Sequence, residues 1–299
     1  MFALTADAPQ AASLFTHAAA LLDGRDPREI VKTETMAALH HDRVSQILCT
    51  LQALAAAAAL GSARRDWTVV AGYSVGELAA WGVAGWFNAT DVLDLAALRA
   101  EAMDAVSQAG EGLLFVRGLS RDAVERLCAR HDAAIAIINP DDAYILGGSR
   151  AARDAMATDA RALNATRVID LPVEVASHTP RLARASAVFR EKLGRIAPAA
   201  VFPGAIRLLS GVDGAPVVDF SEGLDKLAAQ ISRTVRWADC LQACVERGAN
   251  AFLELGLGSA LSRMAAAAYP AIPARSLEDF RTLQGAQAWL AHAANGDAG

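Results

Sequence analysis

Gly72-Tyr73-Ser74-Val75-Gly76 is the stretch that decides the fold of this chain. The apolar and partly β-branched run Trp67-Thr68-Val69-Val70-Ala71 precedes it, and Glu77-Leu78-Ala79-Ala80-Trp81, which is typical of a helix start, follows it. Strand, sharp turn and helix in this order form a nucleophile elbow, in which glycines on both sides let the backbone and a substrate approach the serine. The pattern therefore predicts that Ser74 points into a pocket.

The helix that follows the elbow provides a place for negative charge beside Ser74. The first N–H groups of a helix have no partner within it, and the helix dipole is positive at this end. The backbone N–H of Val75 is therefore the expected oxyanion-hole donor to a negative oxygen that forms beside Ser74. The alternative is an ordinary serine in a glycine-flanked turn between a strand and a helix.

Length and composition limit the classes of protein that the chain can represent. With 299 residues, 54% of them hydrophobic, and a net charge of −5, it can bury a sizeable core as one large domain or as one domain with an insertion. No basic run interleaved with aromatic residues appears, which argues against a nucleic-acid partner. The apolar run at residues 47–60 is shorter than a membrane span, so it predicts a buried helix and no membrane partner.

The four cysteines indicate neither a disulfide framework nor a metal site. Their spacing contains no CxxC pair, and Cys240 and Cys244 lie one helical turn apart, which favours packing over ligation. We therefore expect no bound metal. A reducing, cytoplasmic location fits this cysteine usage best.

From residue 110 onward the pattern predicts a smaller unit within the chain. The predicted elements are strands at residues 113–116, 134–138, 143–146 and 166–171, with helices at 120–130 and 149–163. Their order, β-α-β-β-α-β, is ferredoxin-like. The sequence thus predicts an α/β fold in which residues 1–109 and 172–299 form a large, α/β-hydrolase-like subdomain, and residues 110–171 form an inserted ferredoxin-like small subdomain.

One histidine stands out as a partner for Ser74. Of the six histidines, only His178 lies where the chain returns from the insertion to the main sheet, and a serine hydroxyl needs such a base. Arg99 lies on the second helix after the elbow. The alternatives are a structural histidine and a solvated arginine near Glu101 and Asp104.

These residues together resemble the malonyl-CoA:acyl-carrier-protein acyltransferases, a family with a GHSxGE-type elbow, a downstream helix arginine and a histidine after a ferredoxin-like insertion. The matching segments are Gly72-Tyr73-Ser74-Val75-Gly76-Glu77, Leu98-Arg99-Ala100-Glu101-Ala102-Met103, Val175-Ala176-Ser177-His178, Gln230-Ile231-Ser232-Arg233-Thr234-Val235-Arg236-Trp237 and Glu254-Leu255-Gly256-Leu257-Gly258. The resemblance spans nearly the whole chain. A finer resemblance, to the acyltransferase (epsilon) subunit of biotin-independent malonate decarboxylase, rests on Gly72-Tyr73-Ser74-Val75-Gly76-Glu77-Leu78 and Ser177-His178-Thr179-Pro180.

The resemblance implies a role for each of these residues. Ser74 would be the acyl nucleophile, His178 its base, and Arg99 the clamp on the free carboxylate of a malonyl group. The backbone carbonyl near Gln230 would orient His178, so no triad aspartate is expected. The implied reaction moves malonyl between CoA and the thiol of an acyl-carrier protein through an acyl-serine, with Val75 supplying the oxyanion-hole N–H.

The resemblance also implies the partners of such an enzyme. A CoA thioester and an acyl-carrier protein would bind, the carrier would supply a phosphopantetheine-type arm, and no cofactor would be bound permanently. Other malonate decarboxylase subunits are further implied partners. The alternative within the same chemistry is a malonyltransferase that serves a fatty-acid or polyketide carrier.

The chain departs from the family pattern at two places. The family opens with a short strand and a G-Q-G-x-Q loop that lines the oxyanion site, whereas Met1-Phe2-Ala3-Leu4 looks like the residues just after that loop. This difference predicts a late start to the chain and one missing oxyanion contact. Val175-Ala176-Ser177-His178 lacks the phenylalanine that often precedes the histidine in malonyl-selective relatives, so a branched diacid stays an alternative substrate.

Two other classes of function share part of this pattern. A serine hydrolase has the same elbow, but it needs an acidic partner for the histidine in the order serine, acid, histidine. Asp170 and Glu174 are the acidic residues nearest before His178, and neither is well placed in the sequence for that role. A truncated, non-catalytic subunit that only binds the carrier is the other alternative.

Overall fold

The structure is a computed structural model that describes residues 1–61, 63, 68–199 and 206–294. Trp67, predicted to begin the strand before the elbow, and residues 295–299, predicted to be frayed, lie outside these ranges. The helices in the described part are α1 (Ala12–Leu21), α2 (Pro27–Thr33), α3 (Met36–His40), α4 (Asp42–Leu60), α5 (Gly76–Val83), α6 (Ala89–Asp104), α7 (Arg121–Arg130), α8 (Arg150–Ala162), α9 (Ala183–Leu193), α10 (Phe220–Ala229), α11 (Trp237–Glu246), α12 (Ala260–Ala268) and α13 (Leu283–Ala294). The strands are β1 (Val69–Val70), β2 (Gly112–Arg117), β3 (Ala134–Asn139), β4 (Ala143–Gly148), β5 (Arg167–Asp170), β6 (Arg207–Leu208), β7 (Val235–Arg236), β8 (Phe252–Glu254) and β9 (Ala274–Ser276).

Helix α4 lies at the centre of the largest hydrophobic core. It packs against α1, α5 and α6, and its buried leucines and alanines join the same core cluster as the elbow helix α5. The helix ends at Gly61, whose φ of +55° is the left-handed conformation that favours glycine past a helix end. By length and composition α4 could cross a membrane, but 67% of its apolar window is buried inside the protein, as in the core helix of a globular domain.

A five-stranded sheet contains the four strands predicted between residues 110 and 171. Its strand order is β5-β2-β4-β3-β7, antiparallel except for the parallel pair β3 and β7. Ser120 and Ser149 cap α7 and α8 by accepting hydrogen bonds from backbone N–H groups three residues on, as the sequence predicts. Strand β7 comes from outside the predicted insertion and extends this sheet, and the division into two subdomains stays a prediction.

The parallel strand pairs in the described part are short. Val69 and Val70 of β1 pair with Arg207 and Leu208 of β6, so the strand predicted from residue 67 to 71 contains two paired residues here. Strands β8 and β9 form another parallel pair, in addition to β3 and β7. The fold is therefore mixed α/β, with β1 leading directly into the elbow and α5.

The segment after His178 differs from the sequence prediction. Thr179 is predicted to cap a helix that runs to about Leu193, but its side chain makes no cap bond, and a single 3₁₀ turn, Pro180–Leu182, precedes α9. The Thr179 hydroxyl instead donates to the backbone carbonyl of Ala176 at 2.7 Å. Thr179 thus fastens the turn that carries His178.

Candidate active site

The elbow places Ser74 at a strained point between β1 and α5. Ser74 has a φ of +53°, a region that non-glycine residues seldom occupy and that marks functional sites. The backbone N–H of Gly76 donates to the Tyr73 carbonyl at 2.9 Å, and that of Glu77 donates to the Ser74 carbonyl at 3.0 Å. These two bonds close the turn and start α5 directly behind the serine.

The two glycine positions of the elbow differ in the space that they leave for a side chain. A Cβ atom on Gly72 would lie 2.1 Å from the backbone nitrogen of Glu77, which no side chain could tolerate. A Cβ on Gly76 would meet no atom within 4 Å among the described residues. Glycine is predicted from the sequence to be required at both positions. A steric requirement for glycine is present at Gly72 alone.

His178 lies within hydrogen-bond distance of the serine. Its Nε2 is 2.7 Å from Ser74 Oγ, and its Nδ1 is 2.6 Å from the backbone carbonyl oxygen of Gln230. Because a carbonyl can only accept, Nδ1 carries the proton and Nε2 is left to accept from the serine hydroxyl. The backbone N–H of His178 also donates to the Ile231 carbonyl at 2.8 Å, so two bonds to one loop fix the imidazole.

Burial keeps the imidazole neutral. Desolvation lowers the pKa of His178 to about 3, and the charge of Arg99 acts in the same direction, while the hydrogen bond to the Gln230 carbonyl opposes both. A neutral imidazole can take the proton of a serine hydroxyl as it attacks, and return it to a leaving group. The pair formed by Ser74 and His178 can therefore perform nucleophilic acyl chemistry.

Arg99 is buried, and the alternative of a solvated arginine is wrong. The side chain is 2% exposed, its Nη1 donates to Gln46 Oε1 at 2.6 Å, and its Nη2 donates to Gln230 Oε1 at 3.2 Å. Burial lowers its pKa to about 10, and the negative charges of Asp42 and Glu77 partly offset that effect. Within the described ranges no carboxylate makes direct contact with the guanidinium, so the positive charge is available to a ligand.

Gln230 connects the other residues of the site. Its backbone carbonyl accepts from His178, and its side-chain carbonyl accepts from Arg99. Its side-chain Nε2 donates to the Ser74 backbone carbonyl at 2.9 Å and to Glu77 Oε2 at 2.7 Å. Sequence reasoning assigned a role to its backbone alone, but the side chain also joins the serine turn to the arginine.

The backbone N–H of Val75 lies in the position expected for an oxyanion donor. Val75 is the N-cap residue of α5, directly after the serine. In the part of the chain that the structure describes, its N–H donates to no backbone or side-chain acceptor. The helix N-terminus thus presents a free donor beside Ser74.

Sequence reasoning missed two residues of this cluster. Gln46 is one of three buried polar side chains on α4, with Thr50 and Gln52, and no local pattern distinguishes it from the other two. Glu77 lies inside the elbow motif and was treated only as part of a helix start. It is fully buried, its Oε2 also accepts from the Gly211 backbone N–H at 3.1 Å, and burial raises its pKa to about 7.

The acidic residues considered for a hydrolase triad do not join the site. Asp170 forms an ion pair with Arg153, and Glu174 is exposed. The Nδ1 atom of His178, which a triad acid would contact, is held by the Gln230 carbonyl. The hydrolase alternative therefore lacks its acid at the two positions proposed for it.

Comparisons with known proteins agree with this geometry. The chain matches the acyl transferase domain family over residues 28–279. It is 34% identical over 188 residues to a malonyl CoA-acyl carrier protein transacylase of Mycolicibacterium smegmatis, a match that covers 62% of each chain. It is 33% identical over 211 residues to the protein of that name from Mycobacterium tuberculosis, covering 70% of this chain and 68% of the relative.

A solved structure shows the same fold. The crystal structure of an acyl-carrier-protein S-malonyltransferase from Burkholderia pseudomallei superimposes with a TM-score of 0.86 at 26% sequence identity. The superposition covers 95% of this chain and 93% of that chain.

Proposed function

The chain is an enzyme of the acyl transferase domain family, and from that membership we propose that it transfers a malonyl group between CoA and the thiol of an acyl-carrier protein. The observation that carries the proposal is a serine–histidine pair next to a buried arginine that no carboxylate of the described chain contacts. The pair supplies the acyl chemistry, and the unmatched positive charge favours an acyl group with a free carboxylate.

In the first half-reaction, Ser74 Oγ attacks the thioester carbonyl of malonyl-CoA. His178 Nε2 takes the hydroxyl proton, and the N–H of Val75 donates to the oxygen that becomes negative. The C–S bond then breaks, His178 returns the proton to the departing thiolate, and CoA leaves as a thiol. The product is a malonyl ester on Ser74.

In the second half-reaction, the thiol of the carrier arm attacks the ester. His178 takes the thiol proton and gives it to Ser74 as the C–O bond breaks, which restores the free serine. The Gln230 carbonyl holds the imidazole in the same tautomer throughout, because Nδ1 keeps its proton in both halves.

Arg99 would bind the carboxylate of the malonyl group. A guanidinium binds a carboxylate through two parallel hydrogen bonds, and this geometry is strongest where water is excluded. A monoacid such as acetyl leaves the same charge buried and unmatched. We therefore propose that Arg99 selects diacid over monoacid thioesters; whether a branched diacid is also accepted depends on the space near Ser177.

We further propose the organisation and setting of the enzyme. The large subdomain of residues 1–109 and 172–299 would supply Ser74, Arg99 and His178, and residues 110–171 would form the inserted ferredoxin-like small subdomain. The enzyme would act in the cytoplasm. The finer assignment to malonate decarboxylase, with its other subunits as partners, rests on sequence resemblance, and the relatives reported above carry malonyltransferase names.

Carrier transfer is the experiment that tests this proposal. The protein is incubated with malonyl-CoA and a holo acyl-carrier protein, and the mass of the carrier is followed, with Ser74→Ala as the control. We expect a malonyl carrier with the wild-type protein only. A carrier bearing a CoA-like prosthetic arm, tested in parallel, discriminates the malonate decarboxylase assignment from the fatty-acid or polyketide alternative. Failure to load either carrier, with release of free malonate, would support a hydrolase instead.

A further inference from the structure

We propose that two carboxylates, Asp42 and Glu77, prepare Arg99 for its ligand by orienting one glutamine each, while neither carboxylate contacts the guanidinium. The glutamines are Gln46 and Gln230. The inference deepens the proposed function and rests on it, because it takes the ligand of Arg99 to be the carboxylate of a diacid thioester.

The first arm of this arrangement lies on α4. Asp42 Oδ2 accepts from Gln46 Nε2 at 2.8 Å, one helical turn further along. Because the two ends of a glutamine amide are a donor and an acceptor, fixing the NH₂ end on Asp42 aims the carbonyl end elsewhere. That carbonyl oxygen accepts from Arg99 Nη1 at 2.6 Å.

The second arm crosses from the elbow to Gln230. Glu77 Oε2 and the Ser74 carbonyl both accept from Gln230 Nε2, at 2.7 and 2.9 Å. With its NH₂ group held by two acceptors, Gln230 presents its side-chain carbonyl to Arg99 Nη2 at 3.2 Å. Both nitrogen ends of the guanidinium are thus held by neutral carbonyl oxygens.

This arrangement positions the Arg99 guanidinium without neutralising its charge. Direct contact with Asp42 or Glu77 would fix Arg99 equally well, but it would also form an ion pair that a ligand carboxylate must displace. An amide placed between each carboxylate and the arginine fixes its direction and leaves its full charge for the ligand. The carboxylates still favour the charged guanidinium across that distance, which offsets part of the effect of burial.

Gln46→Glu tests this separation with almost no change of shape. One oxygen of the new carboxylate would lie where the amide oxygen now contacts Arg99, forming the direct ion pair that the native arrangement avoids. The other oxygen would face Asp42 Oδ2, so Asp42→Asn is introduced together with Gln46→Glu to supply an amide that donates to it. Gln52→Glu is the matched control, because Gln52 is also buried on α4, and its Oε1 accepts from the Phe2 backbone N–H rather than from Arg99. Acylation of Ser74 is measured with malonyl-CoA and acetyl-CoA, and with phenylmethanesulfonyl fluoride, a neutral serine reagent.

We expect Gln46→Glu to slow acylation by subsaturating malonyl-CoA by about tenfold or more, as a competing buried ion pair implies. Labelling by the neutral reagent should stay within about twofold of wild type, since Ser74 and His178 are unchanged. Gln52→Glu should match wild type with all three reagents. A malonyl rate in Gln46→Glu equal to wild type, or an equal loss in Gln52→Glu, overturns the inference.

A second pair of variants tests orientation apart from charge. Asp42→Asn keeps an oxygen that can accept from Gln46 and should retain the malonyl preference over acetyl, whereas Asp42→Leu removes the acceptor and should lower it. Equal preferences in the two variants would contradict an orienting role. Wild-type protein that reacts with the neutral reagent but not with malonyl-CoA would remove the proposed function itself, an outcome distinct from failure of the inference alone.

Discussion

Burial shifts the pKa values of individual ionisable side chains in this site away from their ordinary values. Desolvation raises the pKa of Glu77 to about 7 and lowers those of His178 and Arg99 to about 3 and about 10. In each case burial favours the neutral form of the side chain over the charged form. The result is an imidazole that is neutral at neutral pH, next to an arginine whose charge is costly until a carboxylate binds.

The first prediction concerns the pH dependence of stability. The pKa of His178 is lowered from 6.5 to about 3 in the folded state, so its contribution to stability is complete above pH 6.5 and is lost as the pH falls towards 3. The slope approaches about 1.4 kcal/mol per pH unit. Urea unfolding at pH 7, 6, 5 and 4 should show this loss in wild type and not in His178→Gln.

Comparing wild type with His178→Gln separates the contribution of His178 to stability from the contributions of other titrating groups. Glu77 acts in the opposite direction, since its pKa is raised from 4.5 to about 7 and its contribution is present below 4.5 and lost as the pH rises through 7. That contribution is common to both proteins and cancels in their difference. Parallel stability curves for wild type and His178→Gln would contradict the assigned shift.

The second prediction concerns substrate selection by Arg99. Arg99→Ala should reduce Ser74 acylation by malonyl-CoA by about 150- to 5,000-fold, because loss of one partner of a buried, hydrogen-bonded charge pair costs about 3–5 kcal/mol. Acylation by acetyl-CoA should fall far less, since no carboxylate is lost. Rapid-quench mass spectrometry measures both rates, and Arg121→Ala, which removes an exposed ion pair with Glu125, is the control. Equal losses with both thioesters would assign Arg99 a structural role only.

At the scale of elements, the elbow depends on one glycine more than on the other. A Cβ on Gly72 would clash with the start of α5, whereas Gly76 is a helical residue with open space around its Cα. We predict that Gly72→Ala abolishes neutral-reagent labelling of Ser74 or prevents folding. Gly76→Ala should fold with unchanged or slightly higher stability, by up to about 1 kcal/mol, because alanine favours helix.

Circular dichroism melts of the two glycine variants give the comparison. A Gly72→Ala protein that melts with wild type and labels normally would show that the turn tolerates a Cβ. A large loss of stability in Gly76→Ala would show that the first turn of α5 is packed more tightly than the structure indicates.

Sequence could predict the elements whose ends are set by local chemistry. The serine caps of α7 and α8 and the glycine at the end of α4 are such signals, and the helices end where they indicate. Thr179 has the same local pattern, but its hydroxyl donates to the Ala176 carbonyl and accepts no cap bond from the following turn. The roles of Gln46 and Glu77 were not predictable, since their partners lie 53 and 153 residues away along the chain.

At the scale of the whole molecule, segments that are far apart in the sequence meet at the site. Helices α4, α5 and α6 bring Gln46, the serine elbow and Arg99 together in one core, and the loop after α10 supplies Gln230. Strand β7 follows that loop and continues into the five-stranded sheet. The loop that holds His178 through the Gln230 carbonyl is therefore continuous with this sheet.

Mass measurement of the acyl-enzyme tests the central claim most directly. The protein is incubated briefly with malonyl-CoA, its intact mass is determined, and the modified residue is located by peptide mapping, beside acetyl-CoA and Ser74→Ala controls. We predict one malonyl group on Ser74 of the wild-type protein, less adduct with acetyl-CoA, and none on Ser74→Ala. An unmodified wild-type protein, or a malonyl group that persists in Ser74→Ala, would contradict the assignment of Ser74 as an acyl-transferring nucleophile.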